Sequence, residues 1–359
     1  MRKSLCLTLE PMGRAATFNE PLSFLQKLCE PFQFKDLLDK GASESSPAKR
    51  LAYVAAFVVA GYSLTVNRMR KPFNPLLGET FEFEDKEMGL KFVGEQVSHH
   101  PPISACYVQT DNFESWANSC IKTKMGASSM EIITKGTVYT HFPKTGDRFE
   151  YERIPSSLKN LLWGTPFIET IGELPIKNTQ NGLSCLIKFL KKDKKQKNQI
   201  EASVSDAEGR KILELFSTDG LSLFCRDLES GAESLLWEAT PLGENAKKQF
   251  FFSKFTLQLN YLNEELAGII PPTDSRFRPD QRAIELGENE FANKEKLRLE
   301  ESQRAREKAH KYQPRFFNEQ EEMAGSKSKD EHPTFVFNNT YWLRPKPSPE
   351  QEPFEQIFM

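Results

Sequence analysis

The sequence predicts an α+β fold in which many short antiparallel strands, arranged as a meander or barrel, lie between two helical regions. Three observations carry this expectation. Residues 75–265 alternate apolar and polar side chains in short runs separated by turn residues. Residues 51–62 are the longest apolar stretch, a helical rather than a strand length. Residues 279–312 are long, highly charged and helical in character.

The chain has 359 residues, room for two average domains, although large β-barrels often run this length as one. Hydrophobic residues make up 38% and charged residues 27%, the balance of a soluble protein. A net charge of −2 gives no global basic field, which argues against nucleic-acid binding. Phe is unusually frequent, 28 against 8 Tyr and 4 Trp, which favours a large apolar interior.

Residues 1–18 show little periodicity and read as an arm. No long apolar core marks a secretory signal there, since Arg2, Lys3, Glu10 and Arg14 interrupt it. The sequon Asn338-Asn339-Thr340 is therefore expected to be unused. Asn19-Glu20-Pro21 predicts a helix start, with Asn19 as cap and Pro21 in the first turn. Leu22, Leu25 and Leu28 form its apolar face, and a polar loop at 41–47 separates it from a helix over 48–66. The apolar run at 51–62 is too short to span a bilayer, which needs about 20 residues, so it reads as a buried core helix and any membrane contact as peripheral.

Strand alternation is clearest at Phe81/Phe83, Val138/Thr140/Phe142, Cys185/Ile187/Phe189 and Phe255/Leu257/Leu259. Turns are expected at Lys144-Thr145-Gly146-Asp147, Asn181-Gly182 and Glu208-Gly209. The basic run at 191–197 reads as a loop tip, either simply solvated or in weak contact with anionic lipid. In the charged helical region Gly287 is expected to divide two helices, and Lys296, Glu300 and Arg304 recur at i, i+4, i+8 along one stripe. The polar tail from 318 contains a short strand at 334–337 and ends Pro-rich. The six cysteines are scattered without paired spacing, which suggests reduced, buried thiols of a cytosolic protein.

The octapeptide Glu95-Gln-Val-Ser-His-His-Pro-Pro102 carries the strongest functional signal, two of the five histidines standing side by side. Pro101 and Pro102 fix their own φ, and Pro101 keeps His100 out of the α region. The pair fits three readings: an exposed turn, a metal site, or a phosphate site with each ring donating to a different oxygen. The metal reading fits poorly, because adjacent residues on extended chain point to opposite faces and no Cys-x-x-Cys or His-x-x-x-His supplies more ligands. A phosphate would favour the charged imidazolium.

The octapeptide resembles the fingerprint of the oxysterol-binding-protein-related family. Lys71-Pro-Phe-Asn-Pro-Leu-Leu-Gly-Glu79 resembles the family's second signature and Pro271-Pro-Thr-Asp-Ser-Arg-Phe-Arg-Pro-Asp-Gln-Arg282 its third. Glu295-Lys296, Leu299-Glu300-Glu301 and Gln303-Arg304 match the helix that follows, and Asn339-Thr340-Tyr341-Trp342 the C-terminal strand. The resemblance covers about residues 19–345. Two stretches depart from it: Met125-Gly126-Ala127-Ser128 stands where relatives have Trp-Gly-Lys-Ser, and Leu215-Phe216-Ser217-Thr218 where they have Phe-Gly-Lys-Trp.

The resemblance implies one lipid-binding domain over residues 1–359. It would comprise an arm or partial lid (1–18), N-terminal helices (19–70), an incomplete antiparallel β-barrel around a hydrophobic lipid tunnel (71–265), and a C-terminal helical region and tail (266–359). The lid is expected to be short, so the chain is either a short family member or a lipid-binding domain cut from a longer protein. The implied ligand is phosphatidylinositol 4-phosphate, its headgroup held by Lys71, Asn74, His99, His100, Lys296, Glu300 and Arg304. The implied function is exchange of that lipid for a sterol, or in some branches phosphatidylserine, between membranes at contact sites. The protein would be cytoplasmic and peripherally bound to endoplasmic reticulum, Golgi or plasma membrane. Neither cofactor, metal nor catalysis is implied. A lipid-gated signalling adaptor or sterol sensor is the alternative. A lipid hydrolase is remote, because no Gly-x-Ser-x-Gly elbow accompanies the histidines.

Overall fold

In the computed structural model, which describes residues 15–162, 167–191, 199–320, 332–344 and 354–359, fifteen strands form one antiparallel sheet. Its first strands, β3 (Thr80–Asp85), β4 (Leu90–His99), β5 (Pro102–Gln109) and β6 (Glu114–Met125), make a meander. On its far side β6 divides the sheet: residues 120–125 pair with β7 (Ser129–Lys135) and residues 114–117 with β8 (Thr137–Phe142). One branch continues through β10 (Ser156–Lys159) and β11 (Phe167–Thr170). The other runs through β9 (Asp147–Glu152), β12 (Gly172–Asn178), β13 (Ser184–Phe189), β14 (Ile200–Ser205), β15 (Lys211–Ser217), β16 (Ser222–Asp227) and β17 (Glu233–Glu238). The end strands β3 and β17 do not pair with each other, so the barrel stays open.

Gly136 makes the branch possible. It joins β7 to β8 at φ +110°, and a Cβ there would lie 1.8 Å from the carbonyl oxygen of Asn118, in the gap between the two pairings. No side chain fits both the dihedral and the space.

The helices fill the open side. α1 (Phe24–Cys29) packs on β3, β4 and β5, and α3 (Pro47–Ser63) on β13 to β17, with α2 (Lys35–Ser43) against α3. Ser46 caps α3, its hydroxyl accepting from Lys49 N, and Pro47 occupies the first turn. The run at 51–62 is thereby the buried core helix that its length predicts: Leu51, Val54, Ala55 and Ala56 are fully enclosed. Phe81, Phe83, Val138, Phe142, Cys185 and Ile187 meet these helices in one apolar core. On the other face of β4 and β5, Val93, Val97, Ile103 and Ala105 form a second core with β18 (Phe317–Glu319), β19 (Phe335–Phe337) and Tyr341. Strand alternation thus serves two interiors along the same strands.

Several expectations change. Residues 19–23 are not a helix start but β1 (Asn19–Ser23), parallel to β2 (Lys71–Phe73). Asn19 donates from Nδ2 to the Pro72 carbonyl at 2.8 Å instead of capping, and Glu20 is drawn into an ion pair with buried Arg68. The helix begins at Phe24, where Gln26 accepts from Ser23 N. The loop expected at 41–47 is shorter, since α2 reaches Ser43. The apparent strand at Phe255/Leu257/Leu259 is α4 (Lys254–Gln258), begun by Ser253, whose hydroxyl accepts from Thr256 N. A run this short does not separate the two periodicities. The sheet therefore ends at Glu238 rather than near 265. Residues 341–343 form a 3-10 turn, not a strand.

Other expectations hold. Gly287 ends α6 (Pro279–Leu286) in the left-handed region at φ 81°, before α7 (Asn289–Ala309). Cys29, Cys106, Cys120, Cys185 and Cys225 are free and buried. Cys6, most of the arm, the run 192–198 and the Pro-rich segment 345–353 lie outside the described residues.

Gly136→Ala is expected to lower stability by about 2 kcal/mol or more. The urea unfolding midpoint reads it, and the neighbouring turn variant Gly146→Ala, with open space around its Cα, should lose less.

Candidate functional site

Residues 71–79 are shaped by one buried cation. Arg278 donates from Nη1 to the Asn74 carbonyl at 2.7 Å and to Glu79 Oε2 at 3.0 Å, and from Nε to Asp280 at 2.7 Å. Its guanidinium lies 4.9 Å from the Phe73 ring centre. Burial would lower the Arg278 pKa, but Asp280 and Glu79 outweigh that and hold it above its ordinary range. Glu79 also accepts from Leu76 N at 2.9 Å and from Ser275 Oγ at 2.7 Å. Lys71 and Asn74 are therefore presented from a segment fixed on both sides.

The octapeptide is anchored in the same way. Glu95 is buried and accepts from Tyr312 Oη, Arg315 N at 2.7 Å and Phe316 N at 2.8 Å. Burial nevertheless pushes its carboxyl above the usual range. Gly78 accommodates the Tyr312 ring, which would stand 3.0 Å from a Cβ there, at φ +82°. The strand β4 ends at His99, and His100 begins the turn into β5, with a cis bond to Pro101.

The rings of His99 and His100 do not point to opposite faces, as strand alternation predicts. Their centroids are 4.7 Å apart at 70°. Alternation holds only within a strand, and this pair straddles the strand end. His99 is half-buried and His100 exposed. Burial lowers the His99 pKa; Glu307 opposes that, His100 adds to it, and Glu300 and Arg304 act more weakly in opposite directions. His99 thus feels charges of α7 on two successive turns.

The stripe on α7 faces this corner. Lys296 pairs with Glu300 and is itself buried, while Arg304 is exposed one turn further. Lys71 has its pKa lowered by burial and then by the charge of Lys296, with Glu300 opposing. Lys71, Lys296, Glu300, Arg304, His99 and His100 accordingly form one electrostatic cluster, although they come from three distant parts of the chain. Asn74 belongs to the same segment as Lys71, and its carbonyl accepts from Arg278.

Lys71 and Asn74 also line a cavity, and this joins the cluster to an apolar interior. The cavity's empty volume is about 1430 Å³ including its open mouth. Its walls come from α1 (Phe24, Leu28), α3 (Phe57, Val58, Tyr62), the sheet (Ile121, Ile132, Val138) and Ile154 in the loop between β9 and β10. Arg68, Glu20 and Lys27 stand at one side. Arg68 is held between Glu20 and Glu30, all three buried. Burial would raise the Glu30 carboxyl, but Arg68 and Lys27 overcome it and bring it down to about 2.

Sequence reasoning missed two members of the site. Glu307 lies 3.9 Å from His100 Nε2. Arg153 lines the cavity and donates to Ser119 Oγ at 3.1 Å. Glu307 is one helical turn from Arg304, so the stripe could have been extended to it. Nothing in the local sequence marks Arg153.

The sequence model of the family described as oxysterol-binding protein matches residues 2–346. Oxysterol-binding protein-related protein 7 of Homo sapiens is 38% identical over 357 residues, 97% of this chain and 41% of that relative. Oxysterol-binding protein-related protein 3 of Homo sapiens is 39% identical over 350 residues, 95% of this chain and 38% of the relative. The chain thus spans about two fifths of the length of these curated relatives. Among solved structures, the crystal structure of the Osh1 ORD domain in complex with cholesterol superposes with a TM-score of 0.81 at 32% identity, covering 90% of this chain and 82% of that one. The Osh3 ORD in complex with PI(4)P from Saccharomyces cerevisiae gives 0.76 at 33% identity, covering 84% and 81%.

Because the Glu30 pKa is depressed on folding, its contribution to stability is complete above about pH 4.5 and is lost as the pH falls towards about 2. It is on the order of 3 kcal/mol. Unfolding midpoints from pH 6 to pH 2.5 are expected to fall less steeply in Glu30→Gln than in the parent, with Glu30→Gln the less stable at neutral pH.

Proposed function

The chain belongs to the oxysterol-binding protein family, and we propose that it extracts phosphatidylinositol 4-phosphate from a membrane and exchanges it for a sterol. The observation that carries this reading is the continuity between charge and cavity. Lys71 belongs both to the cationic cluster and, together with Asn74, to the wall of the apolar cavity. A ligand that uses both needs a strongly anionic head on an apolar body.

A monoester phosphate and a phosphodiester together bring about three negative charges. Lys71, Lys296, Arg304 and the two imidazoles match them with charge-assisted hydrogen bonds, stronger than neutral ones. Arg304 offers a planar fork, and the lysines act as point charges. Glu300 holds Lys296 and can accept from inositol hydroxyls. Asn74 supplies a neutral donor and acceptor at the cavity rim. Partial burial of Lys71, Lys296 and His99 makes each of these bonds stronger than it would be in bulk water.

The cavity explains why such a protein would shuttle. Each methylene transferred from water is worth about 0.8 kcal/mol, so two acyl chains contribute on the order of tens of kcal/mol. Release into water is then prohibitive, and the lipid leaves only at another membrane. A sterol would use the same cavity, so the two cargoes exclude each other and a gradient of one can drive transport of the other. The solved relatives crystallised with cholesterol and with PI(4)P support this pairing. Among the described residues no helix is long and apolar enough to cross a membrane, in keeping with peripheral contact at the membranes bridged. The reading needs no catalytic group and no cofactor, and residues 1–359 act in it as one lipid-binding domain.

Extraction from liposomes containing phosphatidylinositol 4-phosphate tests it. Lys71→Ala, and His99→Ala combined with His100→Ala, are expected to reduce extraction at least tenfold while the unfolding midpoint stays within that of the parent. A fluorescent sterol should be displaced from the parent chain by the phosphoinositide. Normal extraction by the double-histidine chain overturns the reading.

A further inference from the structure

We propose that His99, His100 and Glu307 form a binding site for one transition-metal dication, of which Zn2+ is the best match, where the end of β4 meets α7. Each of the three residues offers one ligand atom, and these atoms all lie within 4.8 Å of one another. His100 Nε2 and a carboxylate oxygen of Glu307 are already 3.9 Å apart. Four-coordinate zinc with bonds of about 2.0–2.1 Å needs its ligand atoms about 3.4 Å apart. The difference is a small side-chain movement. The His100 side chain is 82% exposed and free to make it.

A second observation points the same way. His99 Nδ1 is buried and has no hydrogen-bond partner among the described residues. Buried polar atoms are rarely left without a partner, and a bound ion would supply one here. Two imidazoles and one carboxylate are the donor set of open zinc sites, which keep a fourth position for water or another ligand. Nitrogen donors select against magnesium and calcium. The surrounding cations are partly neutralised, since Lys296 pairs with Glu300 and Arg306 with Glu355.

Metal binding by this trio stands on geometry alone. Its consequence rests on the proposed function: the same two imidazoles would donate to the phosphate, so metal and lipid headgroup compete. Glu307 is not among the residues proposed to hold the headgroup, which makes it the residue that separates the two roles.

Titration of the chelator-stripped chain with Co2+ reads the site through the intense visible absorption of four-coordinate cobalt. We expect saturation at one equivalent and displacement by Zn2+. Glu307→Gln and His99→Asn should each weaken binding by at least the roughly 10–100-fold that loss of an outer-shell partner costs. His141→Asn, whose ring faces Glu114 elsewhere on the sheet, should bind as the parent does. Zn2+ should inhibit phosphoinositide extraction by the parent more strongly than by Glu307→Gln, each compared with its own metal-free rate. An absent band, or an unchanged one in Glu307→Gln, overturns the site. Zn2+ binding without inhibition of parental extraction overturns the competition. A parent chain that binds Co2+ as described but extracts no lipid refutes the proposed function and leaves the metal site standing.

Discussion

The buried guanidinium of Arg278 is the point on which the arrangement depends. It touches the Asn74 carbonyl, the Glu79 and Asp280 carboxylates and the face of Phe73. A fully buried charge is tolerated only when its partners are complete, and removal of one partner of such a pair costs about 3–5 kcal/mol. The segment at 71–79 and the start of α6 are therefore committed to one relative position. α7 follows directly after Gly287, so the offset between Lys71 and Lys296 is inherited from this clamp. Glu95 does for the octapeptide what Glu79 does for the second signature, binding it to the backbone at 315–316 beyond the end of α7.

The signature residues consequently divide by environment. Glu79, Glu95, Asp274, Arg276, Arg278 and Asp280 are buried and satisfied by one another or by backbone. Lys71 and His99 are only partly buried, and His100 and Arg304 are exposed. The buried set holds the geometry, and the outward set presents charge. A sequence motif records both without distinguishing them, because a carboxylate that neutralises a core arginine and one that meets a ligand are the same letter.

The open sheet has its own consequence. Because β3 and β17 do not pair, the interior is closed by α1 and α3 instead of by more strands. Helices pack less tightly against a curved sheet face than strands pair with strands, and the space left between α1, α3 and the strands β6 to β9 is the cavity. Tyr62 spans it at one end, where its hydroxyl accepts from Ile154 N at 2.9 Å and donates to the Ile154 carbonyl. The apolar lining and the charged rim are thus products of one architectural choice.

By itself the sequence determined the α+β class, most strands, the core helix at 51–62 and the break at Gly287, and it singled out seven residues as headgroup candidates. These rest on period-2 and period-3.6 patterning, on turn residues, and on motif wording, all of which are local. It misplaced residues 19–23, because Asn19, Glu20 and Pro21 suit a helix start and only Pro72 and Arg68, far along the chain, hold them extended. It misread 254–259, because six residues do not separate two periods. Only the tertiary structure decided that the His99 and His100 rings meet, since strand alternation stops where β4 ends. The same holds for Glu307, which reaches the histidines across an interface between α7 and the sheet. Contacts of that kind depend on how separate elements are clamped together, and no stretch of sequence contains both sides of them.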